Sequence, residues 1–285
     1  MFFYVLIFVI TLIFTNLIYP WLSKMMRDSG LVKPNYKNEL IPAAGGLVFI
    51  VVLPIIMGIG LFFSFPGYTI TNVTLLLLLT LGTGFMGFLD DQLGNNLNKG
   101  FRGHLKAFFQ EKTLTTGGFK LFFGALIALF FSLGITKELQ LDFWHLFWLI
   151  ILNFLLVALS TNTINTFDLR PGRAGKFFLL GFVLISIFAH NFSTYFGLLI
   201  PLVTILICYL PLDLKAQIML GDLGSNLLGA ALGAMGCWML DLPGKIVFLT
   251  ILLGLQFAAE KFSFTSLIEQ NKILKSLDDL GRGKK

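Results

Sequence analysis

The chain has 285 residues, of which 56% are hydrophobic and only 13% charged, with a mean hydropathy of +0.85 and a formal net charge of +6. A soluble domain of this length carries about a quarter charged residues, so the composition excludes a soluble globular fold and calls for a polytopic membrane protein. Its two cysteines, Cys208 and Cys237, both lie inside apolar runs, which gives no support for a disulfide framework.

The first 26 residues, "MFFYVLIFVITLIFTNLIYPWLSKMM", lack a basic leader region and a small-residue cleavage site, so they read as a retained span. Further apolar runs of spanning length fall at roughly 43–64, 69–89, 119–136, 143–161, 177–191, 194–212, 223–240 and 243–261. With the first, at roughly 2–22, that predicts about nine transmembrane helices in an all-α fold. The runs are continuous and show no period-two alternation, so no strand is expected. Residues 1–262 form a single transmembrane helical domain in this reading, and 263–285 a cytoplasmic amphipathic tail. In that tail Phe264, Leu267, Ile268, Leu274 and Leu277 share one helical stripe, and "SLIE" resembles a capping box.

Lys and Arg placement orients the bundle. The segments 23–42, 90–120, 162–176, 213–222 and 261–285 all emerge on one side and hold nineteen of the twenty-one basic residues. By the positive-inside rule this face is cytoplasmic, as is the C-terminus, and the cell membrane is the expected location. The net charge is thus an orientation signal, with no nucleic-acid partner implied, and it suits anionic headgroups or phosphate ligands.

Four polar clusters, "PAAGG" (42–46), "GFLDDQLG" (87–94), "NTINTFDLRPGRAG" (162–175) and "GDLGSNLLGAALG" (221–233), sit at span ends on that same face, which argues for one shared site. Asp90 and Asp91 end the third span. Adjacent helical positions diverge by about 100°, so one carboxylate can hold a metal while the other meets a second ligand or orients a Lys. Asn162, Asn165 and Asp168 form a stripe able to hydrogen-bond a ligand or position a metal-bound water. Arg170 and Arg173 flank Pro171-Gly172 and offer forks that match phosphate, or else simple membrane anchoring. Gly221, Gly224 and Ser225 open a helix whose free N–H groups suit phosphate, and Asp222 beside them makes sense if it holds a divalent cation, or as a helix cap. In the basic loop 99–120, Lys99, Arg102 and His104 are candidate substrate contacts, against a plain headgroup-facing role.

With these clusters in order, the chain resembles the polyprenyl-phosphate N-acetylhexosamine-1-phosphate transferases, the superfamily that includes the phospho-N-acetylmuramoyl-pentapeptide transferase. The resemblance runs from "PAAGG" to "GDLGSNLLG" and implies transfer of a sugar 1-phosphate from a UDP-sugar to undecaprenyl phosphate with Mg2+, releasing UMP at the cytoplasmic face. It implies that Asp222 is the magnesium ligand and that Asp90 and Asp91 lie near the attacking lipid phosphate. Asn162, Asn165 and Asp168 would line the nucleotide-sugar site. The partners implied are the polyprenyl phosphate and the UDP-sugar, with the bilayer around the spans; a homodimer is a candidate assembly that the sequence leaves open.

Two departures stand out. The family follows its NxxNxxD with a second acid, where this chain has Pro171, and it carries a His-rich loop before a last span, whereas no His follows His190 here. The competing expectation is therefore an altered paralogue that binds polyprenyl phosphate and serves as a partner in envelope assembly. A secondary transporter fits less well, since it needs polar groups at the midplane rather than at one face.

Overall fold

The computed structural model describes residues 2–94, 115–137 and 139–282. Among them the nine expected spans all form helices: α1 (Phe2–Asp28), α2 (Leu47–Phe62), α3 (Ile70–Leu93), α4 (Thr116–Thr136), α5 (Phe143–Phe167), α6 (Arg173–Ile187), α7 (Phe192–Leu214), α8 (Gly221–Met239) and α9 (Leu242–Lys261). Six of them, α1, α3, α4, α5, α7 and α9, are long and apolar enough to cross a membrane by themselves. The other three fall short, because α2 has 16 residues and α6 has 15, while α8 trades apolarity for small residues.

That trade follows from position. Helix α8 is the hub, with every residue from Leu223 to Met239 buried against its neighbours. A helix facing protein all round needs no lipid-facing leucines, and Gly229, Ala230, Gly233 and Ala234 let adjacent helices close in. Helices α3 and α5 pack along its two sides, α6 and α7 complete the inner ring, and α1, α4 and α9 lie outside. Exposed Phe2, Leu17, Phe130, Val247 and Phe257 on the outer helices, with Trp148 of α5, give the bundle an apolar outer surface suited to lipid.

The expectation of no strand fails at one place. Between α1 and α2 a short hairpin pairs β1 (Val32–Pro34) antiparallel with β2 (Leu40–Pro42), Lys33 opposite Ile41. A three-residue strand is too short to leave a periodic signal. What builds it is Asn35, whose Oδ1 accepts the N–H groups of Lys37 (2.8 Å) and Glu39 (3.0 Å), with Asn38 turning at φ 61°. The hairpin is anchored onto the α7–α8 connection: Asn35 Nδ2 donates to Ala216 O (3.2 Å) and Met219 N to Pro42 O (2.8 Å). "PAAGG" then continues the pairing, Gly45 N donating to Met219 O (2.8 Å) and Gly46 N to Leu220 O (3.1 Å).

The tail also departs from the single helix expected. It forms α10 (Phe264–Gln270) and α11 (Lys272–Asp279), broken at Asn271, whose side chain caps α11 by accepting from Ile273 N and Leu274 N. The cap of α10 is Ser263, accepting from Ser266 N, so the "SLIE" box does not form the helix start.

Candidate functional site

The C-terminus of α3, the N-termini of α4 and α8, the C-terminus of α5 and the hairpin meet at one end of the bundle. Two glycines permit the meeting. A Cβ on Gly87 would lie 2.1 Å from Asp222 O, so only Gly lets α3 run against the start of α8. Gly221 has φ +74°, and a Cβ there would come within 2.9 Å of Asp91 Oδ2.

The carboxylates diverge as adjacent helical positions must. Asp91 Oδ2 accepts the backbone N–H of Asp222 (2.7 Å), satisfying an otherwise orphaned donor at the α8 N-terminus, while Oδ1 pairs with Lys33 of the hairpin (3.0 Å). Asp90 turns instead toward Lys120 in the second turn of α4, 3.5 Å away, and the same ammonium contacts Asp222. Lys120 thus bridges two carboxylates from different helices. Asp222 is not the cap of α8; it lies inside the first turn, its carboxylate free of the backbone.

A cavity of about 350 Å3 opens beside this group, lined by Lys33, Tyr36, Asp91, Asp168, Arg170, Asp213, Gly221 and Asp222 among others. Asp168 follows the last turn of α5, and its carboxyl accepts no hydrogen bond from any described residue. Burial first, then the nearby Asp213, Asp222 and Asp91 charges, push it well above the ordinary carboxylate range. Asp213, buried near the end of α7, accepts Gly172 N–H at 2.9 Å.

Several sequence candidates lie elsewhere. Asn162 is exposed and donates to Gln256 of α9 (2.7 Å), away from the cavity. Asn165 accepts from Ser225 Oγ (2.7 Å), and Ser225 is fully buried, so this pair ties α5 to α8. Gly224 packs on Gly46, where a Cβ would lie 3.1 Å from the Gly46 Cα, and its bareness serves helix contact rather than phosphate approach. The two arginines divide: Arg170 lines the cavity while also reaching the tail, and Arg173 lies outside it. Arg173 is buried and makes a bidentate pair with Asp278 of the tail (2.9 and 2.8 Å), and Arg170 pairs with Glu269 (3.0 Å). Their partners lie about a hundred residues downstream, so nothing local in "DLRPGRAG" could reveal them. Lys99, Arg102 and His104 lie outside the described residues.

Sequence reasoning missed three groups. Lys120 carried a readable signal, since an ionisable residue at the start of an apolar span calls for a charged partner. Asp213 carried one too, as an ionisable residue at the end of an apolar run. Lys33 carried none.

Among the described residues no three His, Cys, Asp or Glu side chains form a metal-holding group. The donor chemistry nonetheless suits magnesium, which is held by one or two carboxylates with substrate phosphates filling the remaining positions. Asp90 and Asp222 already share one cation, the Lys120 ammonium.

Fold and site together define a helical, polytopic membrane protein with a carboxylate-lined cavity at one end of its bundle. The chain belongs to glycosyl transferase family 4, whose family model matches residues 73–239, and so to the polyprenyl-phosphate hexosamine-1-phosphate transferase superfamily. It is 26% identical over 271 residues to the phospho-N-acetylmuramoyl-pentapeptide-transferase of Staphylococcus aureus, covering 90% of this chain and 79% of that protein. The same enzyme of Staphylococcus saprophyticus is 28% identical over 273 residues, covering 89% and 79%.

Proposed function

We propose that the protein transfers a sugar 1-phosphate from a UDP-N-acetylhexosamine to undecaprenyl phosphate in envelope precursor synthesis, releasing UMP at the cytoplasmic face of the cell membrane. The observation that carries this reading is the Asp90–Lys120–Asp222 bridge beside the helix-capping Asp91, opening on a cavity that Asp168 lines. The reaction needs one bond made and one broken. An oxygen of the lipid phosphate attacks the sugar-bearing phosphorus, and the bond to UMP breaks. A phosphate monoester is largely ionised at neutral pH, its second pKa being about 6, so no strong general base is required. Charge neutralisation and in-line positioning are what the site must supply.

Asp222 and Asp90 are the residues that would hold Mg2+, which when bound neutralises phosphate oxygens. Lys120 steers phosphate into the gap between them and balances their charge. Asp91 fixes the start of α8 and, through Lys33, the hairpin. Asp168 orients the nucleotide sugar.

The test is UMP release from several UDP-sugars with undecaprenyl phosphate and Mg2+. Asp222→Asn should abolish it while leaving the fold intact, with Asp90→Asn and Asp91→Asn severe but unequal because the two make different contacts. Full activity in Asp222→Asn would remove the metal assignment.

A second reading, a polyprenyl-phosphate-binding partner without transferase activity, draws on Pro171 and on the capture of Arg170 and Arg173 by the tail. Binding of undecaprenyl phosphate with no UMP release from any UDP-sugar would favour it.

A further inference from the structure

The tail does more than lie at the membrane surface. Its Asp278 side chain is only 10% exposed and receives two arginine forks, from Arg173 (2.9 and 2.8 Å) and from Arg282 (2.9 and 3.0 Å). Arg282 Nε also donates to Pro171 O (2.8 Å), and Lys176 caps the end of α11 through Leu277 O (3.1 Å) and Asp278 O (2.7 Å). Tail contacts therefore grip both sides of Gly172, a left-handed turn at φ +74° whose own N–H is held by Asp213. This turn follows Asp168, whose carboxyl has no hydrogen-bond partner among the described residues. Its aim into the cavity depends on the backbone that carries it.

We propose that Asp278 is a positioning residue: the strap formed by α10 and α11, clamped to Arg173 and Pro171, fixes the turn that places Asp168 in the cavity. For the task of Asp168 this rests on the transferase reading; for the clamp itself it does not. Phe264 of α10, stacked on Phe167 (centroids 4.7 Å apart), which stacks on Phe177 (4.1 Å), seats the strap next to the same turn.

The experiment compares the full-length protein in lipid nanodiscs with Asp278→Asn, Asp278→Glu and, as a control on the exposed tail surface, Lys275→Ala. Amide exchange of residues 168–173 and the kcat and KM of UMP release are measured. A misplacement of about 1 Å can cost on the order of 100-fold in rate, so Asp278→Asn should lower kcat by roughly tenfold or more. KM for undecaprenyl phosphate should hold, exchange at 168–173 should quicken by a similar factor, and Asp278→Glu should recover part of both. Lys275→Ala should match the wild type. Should Asp278→Asn fail to fold, Arg282→Gln removes the Pro171 contact and one fork and gives the same comparison. Unchanged exchange at 168–173 overturns the proposal, as does a drop in kcat no larger than the drop in folded fraction measured by thermal unfolding. A wild type that releases no UMP sinks the transferase reading alone, and exchange then decides the clamp.

Discussion

Asp168 and Lys120 show how much of the site is a balance of charges. The cavity gathers Asp91, Asp168, Asp213 and Asp222 against few cations, and Asp168 bears the cost. Because burial and like charges raise its folded value, ionising it opposes folding. Stability is therefore lost, not gained, as pH climbs from the unfolded carboxylate value of about 3.9 through the raised folded one. Asp168→Asn should melt higher than wild type at pH 8 and about equally at pH 4, by circular dichroism in detergent. If the reaction needs the ionised carboxylate, the acid limb of the wild-type pH–rate profile should lie well above pH 4, and the residual activity of Asp168→Asn should not share it. Lys120 acts in the opposite sense. Lys120→Ala removes the ammonium that balances Asp90 and Asp222 and steers phosphate, so UMP release should fall by about 100-fold, the scale of losing one electrostatic stabiliser. Lys33→Ala removes a half-exposed pair worth under about 1 kcal/mol and should leave the melting temperature nearly unchanged.

At the scale of elements, the meeting of α3 with α8 is set by a missing side chain. Gly87→Ala places a methyl 2.1 Å from Asp222 O, backbone that cannot rotate away, so α3 must shift. Overpacking of this kind costs about 1–3 kcal/mol, and here it also displaces Asp90 and Asp91. Thermal unfolding should report the first and UMP release the second, with activity lost well before the fold. The strap makes a different prediction. Burial opposes ionisation of Asp278, but the Arg173 and Arg282 hydrogen bonds outweigh it and hold the pKa at about 2. A depressed carboxylate gives stability that is fully present above its unfolded value of about 3.9 and lost as pH falls toward 2. Protease sensitivity of the tail should thus be flat from pH 8 to pH 5 and rise below pH 4; a rise already at pH 6 would contradict the Asp278 pairing. These elements were unequally legible. The long helices could be read because each holds an apolar run of spanning length, whereas α8, rich in Gly and Ala, gives a weaker signal; a gap at His190 divides α6 from α7. The β-hairpin could not, since its register comes from Asn35 bonding across a turn. Nor could the partners that dock the tail, since Asp278 meets Arg173 only at a separation of 105 residues.

For the whole molecule, the question is which way the carboxylate end faces. Lys33, Lys120, Arg170, Arg173, Lys176 and Arg282 all lie at the end that holds Asp91, Asp168 and Asp222, joined to it by direct contacts. The other end carries the α4–α5 turn with Asp142, and His190 paired with Asp241 (3.2 Å), and has Lys137 and Lys245 as its basic residues. Lys245 there is buried, its ammonium donating to Asn153 Oδ1 (3.0 Å), so even this charge is withheld from the headgroups. Retention of positive charge in the cytoplasm acts on flanks close to the span ends, which is where the basic residues of the site end lie. A site that draws on a nucleotide sugar must also open to the compartment that holds it. Both arguments favour the proposal that the cavity and the strap face the cytoplasm and the α4–α5 turn the outside. Reporter fusions after Lys285 and within 139–142 should therefore report opposite sides, the first cytoplasmic. Both on one side would mean that one of the three helices that fall short as spans, α2, α6 or α8, does not cross, and that the end where Asp90, Asp91 and Asp222 meet is not reached by alternating passes. A cytoplasmic 139–142 with an external C-terminus would keep the bundle intact and turn the cavity outward, away from any nucleotide sugar.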